Sequence, residues 1–406
     1  MWTKIIAAAA SVGVMTAFAA HAQTVKIAYI DPLSGPFANV GDQGLKHFEY
    51  MANKINEAGG IAGGKKVEII GLDNKVDAKE SLIQFQKAVD QGARFILQGN
   101  GSSVAAALVD AVNKHNRRNP DQRVLFLNYA AVDPVFTNDG CSYWHFRFDA
   151  DADMKMEALT NWLAEQKAIK NVYIIGQDYS FGKAVAAAAR SMIAKKRPDV
   201  KIVGDELHPL GKVKDFSPYV AKMRAAGTDL VITGNWGPDM SLLVKAAADA
   251  NFNVPILTYY GGGLGAPTAM GSSAVDRVKQ ITEFHENVEG APAALMDDFE
   301  KKTSYDLYYW RAKTLMEMLK AAADKAGSTD ATAVAAALSG LEHKTELGTV
   351  TMRTDNHQLL QPLFISTLSD KVARTVEGTT LGFKTDYRIE ADATRTPTTC
   401  KMERPS

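Results

Sequence analysis

Short apolar runs alternate along the chain with longer stretches in which apolar residues recur at helical spacing. That alternation predicts parallel sheets covered by helices on both faces. Residues 25–30 form the first apolar run, and Leu45, Phe48, Met51, Ala52 and Ile55 then share one stripe of a helix that Gly59-Gly60 stops. His47 falls off that stripe and is expected on the solvent side. A second strand is predicted at 67–72, followed by a helix that carries Leu82, Phe85 and Val89 and opens with a capping box of Asp77 and Glu80. Phe95, Ile96 and Leu97 suit a buried third strand. Gly99-Asn100-Gly101 then turns into a helix capped by Ser102 or Ser103, with Val104, Leu108, Ala111 and Val112 on its inner face. Residues 124–128 give the next strand.

A short extended crossing at 146–148 separates this series from a second one. Asp151 and Asp153 read as the opening of a helix through Met156, Leu159 and Leu163, not as a catalytic carboxylate pair. Strands follow at 172–175, 201–207, 230–233 and 256–259, with helices at 181–194, 217–226 and 239–250 between them. After Glu283 the pattern is helical at 293–303, 306–325 and 331–338. Past Gly348 it changes to short strands, including 363–368, and from Leu381 the tail is polar and expected to be irregular.

Composition narrows the function. With 406 residues, 46% of them hydrophobic, the chain can fill two cores. Lys plus Arg and Asp plus Glu both number 46, which lacks the electrostatic footprint of a nucleic-acid binder. Residues 1–22 combine Lys4, an apolar stretch and Ala20-His21-Ala22, the form of a secretory signal, so the mature protein is expected to begin near Gln23. No later stretch is apolar enough to span a membrane, and no cysteine at the cleavage point offers a lipid anchor. The expected product is soluble and periplasmic. In an oxidising compartment the two cysteines, Cys141 and Cys400, point to one disulfide. The eight histidines show neither HxH nor HExxH spacing, so no metal is expected.

Candidate chemistry gathers at the strand ends. Residues 34–37, Ser102-Ser103 and 128–132 all fall at the carboxyl edge of the first sheet, where open α/β sheets bind ligands. The helix opening at Ser102 presents free N–H groups, a favourable dipole and two hydroxyls, which suits a carboxylate. The same serines can equally serve only as caps. In the second series the strand ends carry Tyr179, Phe181, Trp236, Tyr259 and Tyr260, rings placed to face the first lobe across a cleft. A two-domain dehydrogenase or glycosyltransferase is the competing class, but GNGSSV lacks the third glycine of a dinucleotide fingerprint and does not follow the first strand.

Taken together, SGPFANVGDQG at 34–44, Ile55-Asn56-Glu57-Ala58-Gly59-Gly60-Ile61, Gly64, the serine pair, Asp178-Tyr179-Ser180-Phe181-Gly182 and Tyr305-Asp306 resemble the type I periplasmic solute-binding proteins of ABC importers, in the branched-chain amino-acid-binding group. The resemblance implies an α/β protein of two Rossmann-like lobes joined by a three-segment hinge. Residues 23–148 plus 284–348 would form the N-terminal lobe and 149–283 plus 349–380 the C-terminal lobe, with 381–406 a tail tethered by Cys400. It further implies binding without turnover or cofactor, closure over a small-molecule ligand, and docking on a membrane permease.

Residue by residue, the resemblance places a ligand carboxylate on Ser102, helped by backbone N–H near Ala131, and a ring at Phe181. Val40 and Val132 replace polar residues of the amino-acid binders, and Tyr260-Gly261-Gly262 replaces the acid that receives a ligand ammonium. An ammonium buried without an anion costs several kcal/mol, so an α-amino acid fits poorly. The expected ligand is an aromatic acid, benzoate-like or hydroxycinnamate-like, with a branched-chain amino acid or amide as the alternative. Phe37, Ser102, Ser103, Asn128, Tyr129 and Ala131 would hold it from one lobe and Tyr179, Phe181, Trp236, Tyr259 and Tyr260 from the other.

Overall fold

The computed structural model describes residues 24–263 and 265–405, and the leader expected at 1–22 lies outside them. Five strands build the first sheet: β1 (Val25–Asp31), β2 (Val67–Asp73), β3 (Phe95–Gln98), β4 (Leu125–Asn128) and β5 (His145–Arg147). Their order is β2-β1-β3-β4-β5, with every pair parallel. Every residue of β3, β4 and β5 is buried, as a parallel sheet sandwiched between helices requires. The intervening helices are α1 (Ala38–Glu57), α2 (Ala78–Asp90) and α3 (Ser102–Arg118). Asp77 caps α2 as expected, accepting from the Glu80 N–H at 2.8 Å.

Neither serine caps α3. Gly101 takes the cap position with φ +100°, a conformation open to glycine, so Ser102 becomes the first helical residue and its hydroxyl stays uncommitted. His47 is also placed differently from the expectation. It is fully buried, because α1 is covered on a second side by a later helix. Its Nδ1 lies 2.7 Å from the Gln43 carbonyl, and its Nε2 accepts from the N–H groups of Tyr308 and Tyr309, both at 3.1 Å. This bonding holds 308–309 out of the helix predicted from 306.

The chain then enters a second layered unit. In order it forms α4 (Ala152–Glu165), β6 (Asn171–Gln177), α5 (Ser180–Lys196), β7 (Lys201–His208), α6 (Ser217–Ala225), β8 (Leu230–Thr233), α7 (Pro238–Asp249), β9 (Ile256–Thr258), α8 (Ala266–Met270) and β10 (Val278–Thr282). It returns to the first unit through α9 (Ala293–Thr303), α10 (Trp310–Ala326) and α11 (Ala331–Leu338). A small antiparallel sheet of β11 (Glu342–Thr345), β12 (Gly348–Met352) and β13 (Leu359–Leu360) precedes β14 (Leu363–Ser369) and β15 (Gly382–Ile389). The second large sheet runs β15-β14-β10-β9-β8-β6-β7, with β14 antiparallel to both its neighbours. The tail is therefore not irregular from Leu381. Its polar residues belong to an edge strand whose first two residues, Gly382 and Phe383, are buried.

Side-chain amides and a guanidinium stitch the crossings between the units. Arg147, fully buried at the end of β5, donates to Gln358 Oε1 and the Asp133 carbonyl, both at 2.6 Å, and pairs with Asp151 at 2.9 Å. Gln358 Nε2 returns to the Asp149 carbonyl, and Gln361 Nε2 to the Phe148 carbonyl, both at 2.8 Å. Asp151 caps α4 through the Met154 N–H at 2.8 Å, so it is the structural residue the sequence suggested.

Cys141 and Cys400 are joined across 259 positions. In the chain-entropy view a loop of that length contributes about 5 kcal/mol, less any strain. Unfolded, unreduced protein is therefore expected to give no free thiol on titration, and reduction to lower the unfolding free energy by up to about 5 kcal/mol. Any thiol in the unreduced chain refutes the bond.

His47 also predicts a pH dependence. Burial pulls its pKa from 6.5 down to about 3, and Arg311 acts in the same direction. Below 6.5 the unfolded chain takes the proton first, so its contribution is complete above 6.5 and falls by about 1.4 kcal/mol per pH unit on the way to the folded value. His47→Gln, which cannot titrate, is expected to have a shallower acid limb in stability-versus-pH curves from chemical denaturation.

Candidate functional site

The ends of β1, β3 and β4 make one wall of a cleft. Two buried side chains shape it. Asp31, last in β1, accepts from the N–H groups of Gly99 and Asn100 at 3.0 and 2.9 Å and from the Tyr129 hydroxyl at 2.8 Å. Burial nevertheless pushes its carboxyl up to about 7. Asn128, last in β4, accepts from the N–H groups of Ala130 and Ala131 at 3.1 and 2.8 Å and donates to the Ala131 carbonyl at 2.8 Å. These bonds fix both turns and also use up the Ala131 N–H, which the sequence reading had offered to a ligand. The free donors are at the start of α3, where the first helical N–H groups have no carbonyl one turn back. Ser102 is 2% exposed there, and among the described residues its hydroxyl has no protein partner.

Aromatic residues of the second unit face this wall. The cavity between the units has about 490 Å3 of empty space and is lined by six rings, Tyr179, Phe181, Trp236, Tyr260, Tyr308 and Tyr309. Trp236 is held in place by its indole N–H, which donates to the Tyr179 hydroxyl at 2.8 Å. Of the expected site residues, Ser102, Ala131, Tyr179, Phe181, Trp236 and Tyr260 line the cavity. The others do not. Ser103 is exposed on the outer side of α3. Phe37 packs behind Trp236 with ring centroids 4.5 Å apart. Asn128 and Tyr129 buttress the turns, and Tyr259 sits behind Phe181 with its hydroxyl on the Ala152 carbonyl at 2.7 Å.

Arg311, Tyr308 and Tyr309 were missed. The signal available was Tyr308-Tyr309-Trp310-Arg311, aromatic residues and a cation at the opening of a helix. Among the described residues Arg311 is the only charged one in the lining, with no Asp or Glu beside it. Its Nη1 meets both Glu283 oxygens, at 2.7 and 2.8 Å, and lies 3.7 Å from Asp149. Lys155 in turn lies 2.8 Å from Asp149, and all four side chains are buried. Burial opposes the guanidinium's charge, but Asp149 and Glu283 outweigh it and hold the pKa of Arg311 above its ordinary value. Burial pulls the Lys155 ammonium down.

Two cations and two anions cancel, so the carboxylates beneath the floor are committed. Left without a hydrogen-bond partner are two donors, Arg311 Nε and the Tyr308 hydroxyl, and one carboxylate oxygen, Asp149 Oδ1, which keeps the Lys155 ion pair at 2.8 Å. With Ser102, the two donors give the cavity a donor-rich polar end and a ring-lined body. Among the described residues no group of three His, Cys, Asp or Glu is arranged to hold a metal.

Residues 24–373 match the family model described as periplasmic binding protein. The "Leu/Ile/Val-binding protein homolog 4" of Brucella abortus is 32% identical over 411 residues, covering 98% of this chain and 97% of that protein. The closed-conformation crystal structure of the leucine-, isoleucine-, valine-, threonine- and alanine-binding protein from Brucella ovis superposes with a TM-score of 0.85 at 32% identity, covering 95% of this chain and all of that one. A solute-binding protein of an ABC transporter from Rhodopseudomonas palustris BisB5, in complex with 3,4-dihydroxy benzoic acid, shares the fold with a TM-score of 0.78 at 19% identity, covering 91% and 98%. Two layered α/β units, a cleft between them and these matches together make the chain a member of the periplasmic binding protein family.

Proposed function

We propose that the protein captures a small carboxylic acid with a flat, apolar body, benzoate-like or hydroxycinnamate-like, and carries it to the permease of an ABC importer. Family membership makes it a solute-binding component of such a transporter. The observation that carries the finer reading is the charge inventory of the cavity: one guanidinium with an unbonded N–H, a serine-tipped helix and no acid in the lining. A carboxylate gains about 1.5 to 3 kcal/mol from each charge-assisted bond there. An α-ammonium would find no anion, at a cost of several kcal/mol.

The names of the Brucella relatives carry branched-chain amino acids, which favours the amino-acid reading by descent. Against it stands the commitment of Asp149 and Glu283 to Lys155 and Arg311. The rings support an aromatic body, since a stacked or edge-on pair adds about 0.5 to 1.5 kcal/mol beyond burial. The fold itself accommodates such a ligand in the Rhodopseudomonas protein.

Calorimetric titration of benzoate, 4-hydroxybenzoate, coumarate, leucine and short amides tests the reading. Micromolar binding, near −8 kcal/mol, is expected for at least one aromatic acid and none for leucine. Tight binding of leucine alone overturns it. Ser102→Ala is expected to weaken the acid by about 1 to 3 kcal/mol without moving the melting temperature, and an unchanged affinity would remove Ser102 from the site.

A further inference from the structure

A second cavity opens between the units on the other side of Tyr308, with about 1310 Å3 of empty space. Tyr308 lines both cavities. The character of this one is opposite to the first. Glu286, on the crossing that follows β10, lines it while only 8% exposed, and its carboxyl has no partner among the described residues beyond its own backbone N–H. Asp306 and Glu377 stand in the same lining. Both are held in place: Asp306 accepts from the Glu377 N–H at 2.7 Å, and Glu377 accepts from the N–H groups of Gly265 and Thr268 at 2.5 and 2.9 Å.

An independent orphan lies opposite. Gln43, on α1, is 3% exposed, and its Oε1 is a buried acceptor without a donor. Acceptors from α1, from the crossing and from the loop between β14 and β15 thus converge on one space. Burial pushes the Glu286 carboxyl up to about 8, and Asp306 and Glu377 push the same way against Arg374. Arg374 itself is engaged by Asp297 at 2.7 Å. A buried carboxyl in that state is stabilised by a cation that brings several N–H donors.

We propose that this cavity binds a small organic ammonium, which donates to Glu286 and Gln43 and rests against the rings of Tyr305 and Tyr308. The ring faces add cation–π attraction. A metal ion is the poorer occupant, since the described residues hold no cluster of metal-ligating side chains. The site does not depend on which acid the first cavity takes. An α-amino acid bound at Ser102 keeps its nitrogen one carbon from its carboxylate, hence on the first side of Tyr308.

Titration with n-butylammonium chloride, with n-butanol as the uncharged control, tests the assignment on the full mature chain. Saturable binding of the ammonium only is expected, weakened at least tenfold in Glu286→Gln, with benzoate affinity held within twofold as a readout of the other cavity. Absence of saturable binding, equal binding of butanol, or an unchanged affinity in Glu286→Gln overturns it. Should that variant lose its cooperative melt, Gln43→Leu decides by the same criterion.

Discussion

Compensation of buried charge beneath the cleft is the constraint on which the rest depends. Glu283 and Asp149 come from the crossings, Arg311 from α10 and Lys155 from α4, so the network ties both units to the hinge. Removing one member would strand its partner at about 3 to 5 kcal/mol. Their mutual satisfaction decides what the cavity offers a solute. The carboxylates are ion-paired with Lys155 and Arg311, while Arg311 Nε and the Tyr308 hydroxyl have no partner among the described residues.

Precision at the polar end comes from residues that fix the backbone around the space. Asp31 and Asn128 tie down two turns, Gly101 sets the angle of α3, and His47 holds 308–309 against α1. The side chains of Asp31, Asn128 and His47 each take backbone N–H groups as their handle. Preorganisation of this sort reduces the ordering cost of binding. Four of the six lining rings come instead from the opposite unit, where Trp236 and Tyr179 brace one another.

Local pattern made much of this legible. The central parallel strands β3, β4 and β8 are short apolar runs, Asp77 and Asp151 announce their helices, and the aromatic strand ends of the second unit fall where the alternation puts them. What escaped was set by tertiary context. β10 reads Val278-Lys279-Gln280-Ile281-Thr282 and is strand only because β9 and β14 flank it. β15 looked like a polar tail because an edge strand shows polar residues to water. His47 lies off the single apolar stripe that the sequence of α1 shows, whereas the helix is buried on two sides. Arg311 was invisible because a lone arginine in a helix says nothing until Glu283 and Asp149 arrive from elsewhere in the chain.

The most direct test is the chemical identity of the natural occupant. Protein purified from its native host without refolding, then denatured, should release its ligand for high-resolution mass spectrometry. A carboxylic acid without a basic nitrogen, recovered in stoichiometric amount from the intact protein and lost from Ser102→Ala, is the predicted result. Recovery of an α-amino acid in the same stoichiometry would contradict the account, for the cavity would then be holding an ammonium with no anion to meet it.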